Sequence, residues 1–98
     1  MKINESKYYI VRTNRAGVFF GKIKEANREE VTMTEVRKLW HWDGACAVEQ
    51  IALEGVKRPD NCKFTVIIPE MTVIEPVQII PCTDAAAENL SKVAIWKR

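Results

Sequence analysis

The apolar residues of this chain come in short bursts rich in aromatic and β-branched side chains, and turn residues separate them. Tyr8-Tyr9-Ile10-Val11-Arg12-Thr13, Val18-Phe19-Phe20-Gly21-Lys22-Ile23-Lys24, Glu30-Val31-Thr32-Met33-Thr34, Cys62-Lys63-Phe64-Thr65-Val66-Ile67-Ile68, Met71-Thr72-Val73-Ile74 and Val77-Gln78-Ile79-Ile80 all have this character. Such segments favour a pleated, half-buried surface, so a chain built from them is directed towards a sheet of short strands. None approaches the roughly 20 apolar residues that span a bilayer as a helix, and no membrane association is expected. The N-terminal Met1-Lys2-Ile3-Asn4-Glu5-Ser6 lacks the apolar stretch of a secretory leader.

The punctuation gives the order of elements. Asn14-Arg15-Ala16-Gly17 predicts a β-hairpin with a four-residue loop. The charged turn Ala26-Asn27-Arg28-Glu29 leads to a third strand over 30–34, and Val36 to Trp42 reads as a fourth. In that fourth strand Lys38, Trp40 and Trp42 would share one face, and Arg37, Leu39 and His41 the other.

The period then changes. Asp43 stands as an N-cap before a helix over 44–54, Gly55 terminates it, and Val48, Ile51 and Ala52 form its apolar face. Lys57-Arg58-Pro59-Asp60-Asn61 breaks the chain, and Pro69 and Pro76 mark strand borders. Thr83-Asp84 caps a second helix over 85–90, and Val93-Ala94-Ile95-Trp96 reads as a closing strand. The expected fold is α+β: an antiparallel, curled or barrel-like sheet of six to seven short strands with two short α-helices. Exposed sheet edges must be covered, and a second copy of the chain is the simplest cover, so a homo-oligomer is expected.

Composition limits the function classes. Ninety-eight residues suit one β-rich domain over 1–98, and 47% apolar with 29% charged residues is an ordinary globular balance. A net charge of +2 is too small to imply a polyanionic partner, and extended nucleic acid is disfavoured as a ligand. Cys46, Cys62 and Cys82 form an odd, widely spaced set that fits reduced thiols in a cytoplasm. With His41 they hold the atoms of a zinc site, yet no C-x-x-C pair brings two thiolates onto one turn, so no metal is expected. Gly17, Gly21, Gly44 and Gly55 are isolated and compose no phosphate-binding loop. A binding protein without a cofactor is therefore expected rather than an enzyme.

The binding signals lie in Arg37-Lys38-Leu39-Trp40-His41-Trp42-Asp43-Gly44, where cations alternate with indoles. In one reading Trp40 or Trp42 stacks a planar base while Arg37, Arg12 or Arg58 holds phosphate. In the other, Trp40 and Trp42 are core residues on one strand face and Arg37 points to solvent. Arg12, Arg15, Lys57 and Arg58 would extend a basic patch if the first hairpin loop lies beside the loop after the first helix.

Blocks through nearly the whole chain carry a family resemblance. They are Tyr8 to Thr13, Ala16-Gly17-Val18-Phe19-Phe20-Gly21, Arg37-Lys38-Leu39-Trp40-His41-Trp42-Asp43-Gly44-Ala45, Gly55-Val56-Lys57-Arg58-Pro59, Asn61-Cys62-Lys63-Phe64 and Ile79-Ile80-Pro81-Cys82-Thr83. With them the chain resembles a family of small phage and prophage proteins carrying a domain of unknown function. The resemblance implies an accessory protein of a bacteriophage or mobile element, working in the bacterial cytoplasm. It implies action by binding, either sequestering a nucleotide-derived signalling molecule as counter-defence or inhibiting a host defence or regulatory protein.

Overall fold

A computed structural model describes residues 2–97. The first hairpin forms as its residues predict: β1 (Tyr8–Thr13) pairs antiparallel with β2 (Val18–Ala26), Arg12 opposite Val18. Its loop closes where the Thr13 N–H and the Thr13 hydroxyl both donate to the Gly17 carbonyl, each at 2.9 Å.

The two strands expected over 30–34 and 36–42 are one, β3 (Glu30–His41). Glu35 takes a left-handed φ of 48° inside it. The ladder to β2 shifts register there, from Lys22 opposite Thr34 to Phe20 opposite Arg37, while β5 (Ile68–Ile74) pairs on both sides of the irregularity, Thr34 with Glu70 and Val36 with Ile68. Pairing on both edges turns a break into a bulge. The alternation of side chains changes phase across it: Val31, Met33 and Val36 enter one core, and Leu39 enters the other.

β4 (Lys63–Phe64) continues the edge that β5 occupies, and β6 (Pro76–Pro81) pairs with β1 at the far side, in the order β4-β3-β2-β1-β6. The segment expected as a strand over 62–68 therefore pairs at only two residues before the chain turns into β5. Pro69 lies within β5, not at its border; this is tolerated because β5 is an edge strand. One residue, Glu75 at φ 59°, joins β5 to β6. Its N–H reaches the Glu29 carbonyl at 3.0 Å and its carbonyl takes the Asn14 N–H at 2.9 Å, which pins two hairpin turns together. The sheet curls strongly but stays open, since β5 and β6 do not pair.

Both helices lie on one side of the sheet. α1 (Val48–Glu54) is shorter than expected, and its N-cap is Ala47, without a side-chain cap, in place of Asp43. The predicted apolar face is correct: Val48, Ile51 and Ala52 are buried with Ile10, Phe20 and Leu39. Gly55 ends it at φ 78°, its N–H on the Ile51 carbonyl, and a Cβ there would run into the Asn89 side chain. α2 (Asp84–Ser91) is capped as predicted, the Thr83 hydroxyl accepting the Ala86 N–H at 3.1 Å. The expected closing strand reduces to one parallel bridge, Phe64 with Ile95. No helix among the described residues is long and apolar enough to cross a membrane.

Candidate functional site

The five candidate residues separate into three places. Arg37 does not face solvent: the phase change at Glu35 turns it towards the helices, where it is 1% exposed. Its Nε donates to the Thr65 carbonyl at 3.1 Å, and its Nη1 to the carbonyls of Val93 at 2.8 Å and Leu90 at 3.3 Å. The guanidinium carbon lies 5.3 Å from the centre of the Phe64 ring. Nη2 has no partner among the described residues, and burial pushes the guanidinium pKa below its ordinary value. Arg37 thus fastens β3 to the segment after β4 and to the end of α2, where a cation also suits the helix dipole.

That clamp positions the second place. Beyond Val93 the Trp96 N–H donates to the Phe64 carbonyl at 2.9 Å, and the Trp96 ring stacks on Trp40, centroids 5.0 Å apart and planes 10° from parallel. Trp40 is 55% exposed, so it is not a core residue. The Lys63 ammonium lies 5.3 Å from the Trp40 ring centre and 5.4 Å from that of Trp96. A cavity of about 450 Å³ opens beside this pair, lined by Trp96 and Lys63 together with His41, Asp43, Asp60, Asn61 and Cys62.

Asp43, expected to cap a helix, is taken by this cavity's frame. It accepts from Arg58 Nη1 at 2.9 Å and from Asn61 Nδ2 at 3.2 Å, and these two bonds, Arg58 first, hold its carboxyl below the usual range. Arg58 is accordingly ion-paired. Gly44 at φ 93° lets the chain lie directly on the backbone of Lys57 and Arg58, where a Cβ would collide.

Arg12 and Trp42 meet in the third place, a cleft of about 430 Å³ that also has Gln78, Glu49, Val18, Ala47 and Val48 in its walls. Trp42 lies past the end of β3, half-buried against the helix-side core, and so does not share a strand face with Trp40. Arg12 and Arg58 are engaged separately: Arg12 bonds Gln78 at 3.2 Å, and Arg58 bonds Asp43 at 2.9 Å.

Nothing in the residue pattern marks Lys63 and Trp96 as partners of Trp40. Trp96 sat in an expected closing strand, and its partner lies 56 positions earlier, so neither spacing nor period links them. Among the described residues no three His, Cys, Asp or Glu side chains come together as a metal site. Cys46 is exposed, Cys62 and Cys82 are buried, and burial lifts the Cys82 thiol to about 12.

The fold and these clefts define an open-sheet α+β protein that gathers aromatic and cationic side chains at its surface. Residues 6–90 match the family described as Domain of unknown function (DUF6948), and the chain belongs to that family. No curated protein and no solved structure matches it.

Proposed function

We propose that this protein acts by binding, and that its ligand is a small anion carrying a planar ring, of nucleotide type, received in the cavity beside Trp40 and Trp96. The observation that carries this reading is the Lys63 ammonium held within 5.4 Å of two stacked indoles at the wall of a 450 Å³ cavity. A third ring laid against Trp96 would extend the stack, and base–indole stacking contributes about 1–3 kcal/mol. Lys63 would meet the phosphate, and Asn61 and Asp60 offer amide and carboxylate groups to the edge of a base. The volume lies within the ~300–1,000 Å³ usual for small-molecule sites.

The resemblance to phage and prophage proteins supplies the setting: a mobile-element accessory protein in a bacterial cytoplasm, removing a nucleotide-derived signal from a defence system. A second reading, inhibition of a host protein, is favoured by the exposure of Trp40 and Ile95, 55% and 50%, because exposed indoles form the centres of protein interfaces.

Thermal unfolding with a panel of linear and cyclic nucleotides tests the first reading. A ligand bound only by the folded chain adds about 2.7 kcal/mol at a hundredfold excess over Kd. The expected result is a raised Tm with at least one nucleotide, lost in Lys63→Ala and in Trp96→Ala. A flat response across the panel removes the nucleotide reading and leaves the protein partner.

A further inference from the structure

The Arg12 cleft carries a different chemistry. Opposite charges that share a small cleft normally pair directly. Arg12 on β1 and Glu49 on α1 share one, yet neither forms an ion pair among the described residues. The Gln78 amide of β6 stands between them, its oxygen taking Arg12 Nε at 3.2 Å and its nitrogen donating to Glu49 Oε2 at 2.8 Å. This orientation of the amide satisfies both neighbours, and the reverse would set donor against donor and acceptor against acceptor. The Gln78 amide of one strand thus bridges a guanidinium on a second strand and a carboxylate on a helix. The Gln78 bond, then a backbone N–H bond at Glu49 itself, and last the nearby Arg12 charge place the Glu49 carboxyl below its usual range.

Arg12 engages Gln78 through Nε, and its Nη1 and Nη2 have no partner among the described residues. The rest of the wall is apolar or aromatic, from Trp42, Val18, Ala47 and Val48. A plain anion in this cleft would meet the Glu49 carboxylate, and a plain cation would meet Arg12. A molecule with both charges a few ångströms apart and an apolar branch satisfies every wall.

We propose that the Arg12–Gln78–Glu49 cleft is a binding site for a zwitterionic α-amino acid with an apolar side chain, its carboxylate on Arg12, its ammonium on Glu49 and its side chain against Trp42. The site is separate from the cavity beside Trp96, and the two readings stand or fall independently.

Calorimetric titration with L-phenylalanine, N-acetyl-L-phenylalanine and L-phenylalaninamide tests it on the unaltered protein. The amino acid should bind, and each derivative, having lost one charge, should bind about tenfold to a hundredfold more weakly, as expected when a charge-assisted hydrogen bond is removed. Glu49→Gln should bring the N-acetyl derivative to within a few-fold of the amino acid, and Arg12→Gln should do the same for the amide. Absence of binding by L-phenylalanine at millimolar concentration overturns the proposal. Equal binding of the N-acetyl derivative by the unaltered protein also overturns it, since the cleft would then select only an anion.

Discussion

Arg37 is the residue on which most of the interior depends. Its charge sits in an apolar core with three carbonyls and an aromatic face around it and no carboxylate within ion-pair range among the described residues. Such a charge is costly to bury, but its removal is costly too, because the Thr65 carbonyl would lose its donor and the buried bonds to the Leu90 and Val93 carbonyls would be lost. Arg37→Ala should lower unfolding stability by about 3 kcal/mol or more, read from urea titrations. Arg37→Lys should recover only part of this, since an ammonium cannot reproduce the planar fork that reaches carbonyls on two segments. An Arg37→Ala variant as stable as the parent would mean that the guanidinium contributes nothing to holding the chain after α2. The residue types around Arg37 invited a phosphate-holding role, and the missing information was its strand phase. Glu35 has no turn chemistry of its own, so the bulge that decides which way Arg37 points left no mark in the residue pattern.

At the scale of elements, helix ends are decided by which side chains are free to cap. Thr83 is free: its hydroxyl accepts from Ala86 N–H and also donates to the Leu53 carbonyl at 2.7 Å, tying the start of α2 to the end of α1. Thr83→Ala should cost about 1–2 kcal/mol in chemical denaturation, the range of a lost cap. A change below a few tenths would show that solvent replaces both bonds. Asp43 has the same preference for a cap, but Arg58 and Asn61 bind it from fifteen and eighteen positions away. Local preference thus revealed the hairpin, the face of α1 and the cap of α2. It failed at Asp43, where distant partners compete for the same oxygen atoms. It also failed at 62–68, where β propensity is high but β3 offers an edge to only two residues before the chain crosses to its other half.

For the whole molecule, the unfinished edges matter most. Among the described residues β5 and β6 each lack a neighbour on one side, and Ile74 and Val77 at their junction are largely exposed. Unpaired strand edges with exposed apolar side chains favour association with another chain. Sedimentation at micromolar concentration should return a mass above that of the monomer, and a monomer alone would show that the curl and the flanking Pro76 and Pro81 are enough to block edge pairing. The short apolar segments and the turns between them indicated a β-rich body with a curled sheet, whereas the clefts depend on contacts between distant parts of the chain: Trp40 with Trp96, and Arg12 with Gln78 and Glu49. The pairing of β1 with β6 joins residues 8–13 to 76–81. A ribosome extending this chain must hold β1 without one of its two neighbours until about seventy further residues, through β6, have been made. Closure is thus a late event in synthesis, and an emerging chain halted before β6 would present an open edge of β1 to whatever is nearby.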